Sequence, residues 1–299
     1  MNKRPLISVI IPTHRSLDCL RLSVPAFLAC PDCEVVVGLD GDSAACRAYL
    51  GTLPIRVCAT RRRQGACTAT NLAAAAATGE YFFLCNDDMV PAPGWDAAVR
   101  ELARPERIVS GWCWEPGLIE APPCHARRDF GRDPAHFREG EFFEAVRREA
   151  AQAGADEPGI NYPFLIAKEL WNKSGGLDER FNPGSASDPD LFIRLRLLDP
   201  EPGMIRAKRA VFYHFASRSS SFAGGKIALN WKFHRRHGRY MFRRKWGRMW
   251  EHAFGEVPDI SGWRAITARP EPLLGGRLWR YLWFGGPGRH TVSHRAGDR

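Results

Sequence analysis

Thr13, Asp40, Asn86, Asp87, Asp88, Asp188, Asp190 and His214 are the residues of this 299-residue chain whose types and positions suit joint chemistry. Thr13, Asp40 and Asn86-Asp87-Asp88 each fall just after a predicted strand, and in an open α/β sheet that is the edge where ligands bind. Asp188 and Asp190 open a predicted helix, and His214 ends a predicted strand. Carboxylate and imidazole together suit a divalent metal, whereas neighbouring carboxylates in a dry cleft repel each other without one. Taken singly, each has an ordinary structural use: the Asp pair in a turn, Asp188 or Asp190 as a helix cap, His214 as a satisfied strand-end side chain. Their joint placement argues for a site.

The elements that must position them are legible from pattern. Leu6 to Ile11 is a branched apolar run stopped by Pro12, as for a strand buried on both faces, which puts Thr13 just beyond its end. Ser16 is placed to cap a helix carrying Leu17, Leu20, Val24 and Phe27, with Pro25 interrupting its second half. Glu34 to Leu39 and Ile55 to Ala59 read as the next strands. Gly65 to Asn71 leads into an alanine-rich helix that ends by Gly79, with side chains small enough to lie close to a sheet or ligand. Tyr81 to Leu84 is a strand, Trp95 to Leu102 a helix, and Ile108 to Trp112 a strand. Pattern dissolves between Glu115 and Gly159, save for a helix from Glu141 to Ala151, and such an insertion reads as a lid or acceptor loop. Phe164 to Ala167, a helix through Trp171, a helix from Asp190 to Leu198 and the strand Val211 to His214 follow. This alternation predicts an α/β fold with a mostly parallel sheet and flanking helices.

Composition excludes several classes. A hydrophobic share of 44% and a charged share of 25% are ordinary globular values, which sets aside disorder, collagen and coiled coil. No run is long and apolar enough for a membrane span, and the opening residues show no secretion signal. All nine cysteines lie between Cys19 and Cys124, which predicts reduced, cytoplasmic thiols with Cys30 and Cys33 as ordinary structural cysteines. The formal charge of +10 is uneven: residues from 203 onward carry a net +15, leaving −5 for the rest. A basic, aromatic C-terminal third suits an anionic surface.

As an ordered series, the motifs resemble the family 2 glycosyltransferases of the GT-A fold. Leu6 to Thr13 resembles that family's opening strand, Val35 to Ser43 its second strand, and Gly65 to Asn71 its G-x-x-x-A-R-N segment with Thr70 at the arginine position. Asn86-Asp87-Asp88 is similar to its D-x-D region, followed by Pro93-Gly94-Trp95. Gly175 to Phe181 and Ser187-Asp188-Pro189-Asp190-Leu191 are similar to its G-G-F-D-E-R-F and E-D-x-D-L blocks, and Tyr213-His214 and Lys245-Trp246-Gly247 to its later motifs. The resemblance implies that Pro12, Thr13, Asp40, Asn71 and Asp87 contact a nucleotide-sugar donor, Asp40 at the base. It implies that Asp88 and His214 hold Mn²⁺ or Mg²⁺ and that Asp188 is the general base, with Asp190 as the alternative. Asn86 and Ser187 depart from the family's usual acids.

The implied reaction is inverting transfer from a nucleoside diphosphate sugar, a UDP-sugar first, to a glycan or lipid-linked acceptor in cell-surface glycan synthesis. A nucleotidyltransferase is the alternative enzyme, without a G-x-x-x-x-G-K loop to support it. A membrane- or nucleic-acid-binding module explains the tail but not the strand-end carboxylates; no nucleic acid partner is expected. The expected organisation is a nucleotide-sugar half at 1–114, an insertion at 115–160, an acceptor and catalytic half at 161–250 and a basic aromatic extension at 251–299. The basic, aromatic residues from Trp231 to Trp250, with the farther stretch Leu278 to Phe284, suit peripheral attachment to an anionic membrane from the cytoplasmic side, with a place in the domain core as the alternative for the part around Lys245-Trp246-Gly247.

Overall fold

Runs of branched apolar residues pair into one sheet, and small or amphipathic helices cover it. The computed structural model describes residues 7–117, 125–150, 154–215, 222–223, 226–227, 229–248 and 256–261. In chain order the elements are β1 (Ile7–Thr13), α1 (Leu17–Leu28), β2 (Cys33–Leu39), α2 (Ala44–Leu50), β3 (Arg56–Ala59), α3 (Ala66–Ala76), β4 (Tyr81–Leu84), β5 (Met89–Pro91), α4 (Trp95–Leu102) and β6 (Arg107–Glu115). There follow β7 (His125–Arg127), α5 (Glu139–Ala150), β8 (Glu157–Pro158), β9 (Phe164–Ala167), α6 (Lys168–Ser174), α7 (Ser187–Arg196), β10 (Gly203–His214) and α8 (Leu229–Trp246).

The sheet runs β3-β2-β1-β4-β9-β6-β10-β5, with β7 beside β6 and β8 beside β10. Pairing is parallel for β1 with β2 and β4, β2 with β3, and β6 with β10 and β7. It is antiparallel where β9 meets β4 and β6 and where β5 and β8 meet β10. Seven strands therefore share one direction and β5, β8 and β9 oppose them, which is the mostly parallel sheet expected. The central strands are buried along nearly their whole length, as parallel strands covered on both faces must be.

Several local expectations are corrected. β1 continues through Pro12 and Thr13, so Thr13 is the last strand residue rather than the first loop residue. Pro25 sits inside α1, and Ser16 precedes that helix without capping it. The stretch expected to be irregular adds β7 and β8 to the main sheet, and an aromatic cluster of Trp114, Phe130, Phe137, Phe142 and Tyr213 packs α5 against it. Cys30 and Cys33 are joined as a disulfide, where reduced thiols were expected: the turn closing α1 onto β2 leaves their Cα atoms 5.5 Å apart, within bridging range. Cys19, Cys46, Cys58, Cys67, Cys85 and Cys113 form no disulfide, and Cys124 lies outside the described residues.

The basic helix α8 is core on one side. His234, Gly238, Met241, Phe242, Lys245 and Trp246 are buried, while Phe233, Arg235, Arg236, Arg239, Arg243 and Arg244 are exposed. The aromatic and basic residues expected to share one membrane-facing surface are thus split: Phe242, Lys245 and Trp246 belong to the interior. Leu278 to Phe284 lies outside the described residues, among which no helix is long and apolar enough to cross a membrane.

Small residues let α3 approach the sheet as its composition predicted. A Cβ placed on Gly38 of β2 would lie 2.2 Å from the Ala69 carbonyl oxygen of α3, so the helix and strand touch backbone to backbone. Gly38→Ala should force them apart and cost about 1–3 kcal/mol, the range for overpacking, measured as a lowered urea midpoint with an unchanged m-value.

Candidate functional site

Three strands and the turn before β5 bring ligand-type side chains into a row. β7, β6 and β10 run parallel, with Cys113 opposite His125 and Tyr213 opposite Trp114, so His125, Glu115 and His214 arrive at the same edge. β5 pairs antiparallel with β10, His214 opposite Met89, which sets Asp88 next in line. Glu115 Oε1 lies 2.9 Å from His125 Nδ1 and 2.6 Å from His214 Nδ1, and His214 Nε2 lies 3.3 Å from Asp88 Oδ1.

Asp88 is 2% exposed and Glu115 2%, so the row is shielded from water. Burial works against charge on His214, but the Asp88 and Glu115 carboxylates outweigh it and hold its pKa well above the ordinary value. Burial likewise raises Glu115, and its hydrogen bonds to His125 and His214 reverse this, bringing it to about 2. Glu115 Oε2 is buried without a hydrogen-bond partner. A carboxylate and imidazole donor set with an uncompensated buried oxygen fits a divalent cation of the Mn²⁺ or Mg²⁺ kind. Asp88 and His214, expected to share such a cation, are brought together.

Thr13 closes the next part of the site. Its hydroxyl donates to Asp87 Oδ2 at 2.7 Å, and Ser16 also bonds that carboxyl, which is the use Ser16 finds in place of capping α1. Burial first, and then the neighbouring Asp88 charge, push Asp87 up to about 7 against the pull of these hydroxyls. Pro12 stands beside Thr13 in β1, opposite Gly38 of β2.

Asp40 follows β2, and its carboxylate is engaged by backbone. Oδ1 accepts from the amides of Gln64 at 2.6 Å and Gly65 at 3.0 Å, and Arg63 Nε stands 3.9 Å from Oδ2. Asp40 therefore shapes the 60–65 loop that enters α3. Asn71, expected at the nucleotide, is held by its side-chain amide: Oδ1 accepts from the Leu177 amide at 2.9 Å and Nδ2 donates to the Leu177 carbonyl at 2.8 Å. It brackets α3 to the loop after Gly175-Gly176.

The two carboxylates of α7 have opposite surroundings. Asp190 is fully buried, bonded by Arg194 Nε at 2.9 Å and Trp246 Nε1 at 2.9 Å, with Lys245 Nζ at 2.6 Å. Asp188 is half-buried and accepts from the Ser187 hydroxyl at 3.1 Å, and burial pushes its carboxyl up to about 6. Just before α7, Ala186 has φ of 67°, the left-handed region that costs a residue with a Cβ, and a Cβ on Gly238 of α8 would meet the Ser185 carbonyl at 2.3 Å. The loop delivering Asp188 is thus wedged in place by α8.

Glu115 and His125 were missed in the sequence because the strand was ended at Trp112. Extending its alternation to the last residue before Pro116 was the signal available for Glu115; for His125 there was none.

Residues 8–138 match the family model described as "Glycosyl transferase family 2". A comparison with curated protein sequences finds no match. Among solved structures, the chain is similar to the mannosyltransferase PcManGT from Pyrobaculum calidifontis in complex with GDP-Man and Mn²⁺, at 21% identity and TM-score 0.49, over 73% of this chain and 59% of that one. It is also similar to GalNAc-T7 with UDP, GalNAc and Mn²⁺, at 13% identity and TM-score 0.53, over 72% of this chain and 44% of that one. The chain thus spans less than two thirds of either neighbour. The second likeness establishes a shared GT-A type fold.

The surroundings of Asp190 carry a direct consequence. Asp190→Asn removes the buried charge that Arg194 and Lys245 face, and should cost about 3–5 kcal/mol, as for breaking a buried ion pair, read from equilibrium urea unfolding.

Proposed function

We propose that the chain, whose residues 8–138 match the family 2 glycosyl transferase model, catalyses a metal-dependent, inverting transfer of a sugar from a nucleoside diphosphate donor, a UDP-sugar first, to an acceptor hydroxyl. The observation that carries this reading is the 3.3 Å approach of His214 Nε2 to Asp88 Oδ1 at the ends of paired strands. Two buried ligand atoms from separate elements converge there. The UDP and Mn²⁺ of GalNAc-T7, which shares the fold, lend support.

In this reading Asp88 and His214 hold the cation, which as a Lewis acid offsets the charge that develops on the departing diphosphate. Asp87, held by Thr13 and Ser16, faces the donor's ribose or sugar. Asp40 acts on the nucleotide pocket through the 60–65 loop that it pins, and Pro12 and Thr13 form the floor beside it. Asp188 is the base: its carboxylate lacks the cationic partners that neutralise Asp190, and its raised pKa makes it a better proton acceptor. It takes the proton of the acceptor hydroxyl as that oxygen attacks the anomeric carbon from the face opposite the diphosphate. One displacement inverts the configuration.

The acceptor in this proposal is a glycan or a lipid-linked hydroxyl used in cell-surface glycan synthesis, with the enzyme cytoplasmic and peripheral on the inner face of the membrane. Supporting this, α8 contains no acidic residue, and Arg236, Arg239, Arg243 and Arg244 are exposed on it with no ion-pair partner among the described residues. Such a face draws on the negative potential of anionic lipid.

Four outcomes test the proposal. Turnover should require Mn²⁺ or Mg²⁺, and full activity in excess EDTA would refute the metal. Asp188→Asn should lower kcat about 10²–10⁴-fold, the worth of a general base, with donor affinity within a few-fold. Because a base works only when ionised, and Asp188 holds its proton up to about pH 6, kcat should be constant above that value and fall as pH drops through it; Asp190→Asn giving the kinetic signature instead would move the role. Vesicle co-sedimentation should favour anionic over neutral lipid, weaken with salt, and diminish when Arg236, Arg239, Arg243 and Arg244 are replaced by Gln.

A further inference from the structure

We propose that Glu115 is a positioning residue of the cation site, fixing His214 in the one tautomer and orientation that can bind metal, with His125 as the brace on its other side. This rests on the reading that Asp88 and His214 hold the cation. An imidazole ligates through a ring nitrogen that carries no proton, and its neutral form has one such nitrogen. Glu115 Oε1 accepts from Nδ1 of His214 at 2.6 Å, so the neutral form of that ring keeps its proton on Nδ1 and has its lone pair on Nε2. That nitrogen is the one 3.3 Å from Asp88 Oδ1. With no acceptor at Nδ1, the tautomers would compete and the ring could turn about its χ2 angle.

The same oxygen accepts from His125 Nδ1 at 2.9 Å, and the two rings stand at 87° to each other with centroids 6.5 Å apart. The carboxylate is thereby clamped from β7 and β10 at once. Structure alone gives little reason for this arrangement, since burying a carboxylate is costly and Oε2 is left without a hydrogen bond. A cation at the adjacent Asp88 and His214 end supplies the missing compensation, and a carboxylate behind a ligating histidine makes that ligand a better donor. Glu115, His125 and His214 place their ligand atoms within 4.8 Å of one another. Both Nδ1 atoms are already given to Glu115, and of the two rings it is His214 whose Nε2 meets Asp88, so in this proposal the trio is the support of the site and His125 its brace.

The test uses the full chain, purified metal-free, with Mn²⁺ alone as probe. Titration by calorimetry and by the EPR signal of free Mn²⁺ should show Glu115→Gln weakening binding about 10–100-fold, with a matching loss of the Mn²⁺-induced rise in Tm. His125→Gln should weaken it by a smaller factor, and it serves as the second variant if Glu115→Gln does not fold. Spin-echo spectra of bound Mn²⁺ should show one coordinated nitrogen, present in His125→Gln and absent in His214→Gln. Wild-type protein that binds no Mn²⁺ would overturn the underlying metal reading. Wild-type binding with unchanged affinity in Glu115→Gln, or in His125→Gln where the first variant does not fold, would overturn this inference alone. Two coordinated nitrogens, one lost in His125→Gln, would overturn it by making His125 a ligand.

Discussion

Burying an ionised carboxylate costs several kcal/mol unless partners replace the water it loses, and this chain buries Asp40, Asp87, Asp88, Glu115 and Asp190 to 4% exposure or less. Each is compensated differently. Asp40 takes backbone amides, Asp87 takes hydroxyls, Asp88 and Glu115 take imidazoles, and Asp190 takes an arginine, a lysine and an indole. Much of the architecture around the sheet edge follows from these requirements. The 60–65 loop is wrapped onto Asp40, α1 begins where Ser16 can reach Asp87, and α8 is held by Asp190 and Asp178.

The type of compensation also sorts structural carboxylates from reactive ones. Asp190 is neutralised by charges that are themselves fixed in the interior, so its energy is committed to joining α7 to α8. Asp178 is held far below the usual carboxylate range: burial raises it, and Arg180 and Lys245 outweigh that. Among the described residues, Asp188 has a neighbouring hydroxyl and no cationic partner, and its pKa is raised, the condition of a group free to change protonation state. Between these extremes lies the Asp88 and His214 pair, where an imidazole faces the carboxylate at 3.3 Å.

Helix α8 couples the two kinds of chemistry. Its inner face carries Lys245 and Trp246 to Asp190 and wedges Gly238 against the loop that leads to Asp188, while its outer face presents arginines to the surroundings. The basic charge of the C-terminal third therefore does two things, one neutralising the interior and one facing outward, and a helix with a period of 3.6 residues separates them.

By itself the sequence determined the order of strands and helices, the strand-end position of Thr13, Asp40 and Asp87-Asp88, the close seating of the alanine-rich helix, and the resemblance that named the family. These rest on short apolar runs, breakers and motif spacing, all written within a few neighbouring residues. Only the tertiary structure decided that Asp190 is spent on Lys245 and Trp246, more than 50 residues away, that Asn71 brackets a loop, that Cys30 and Cys33 pair, and that Glu115 and His125 stand behind His214. The reason is physical: whether a buried polar group is free or committed depends on which distant groups the packing brings to hydrogen-bond range, and no local pattern of residues carries that information.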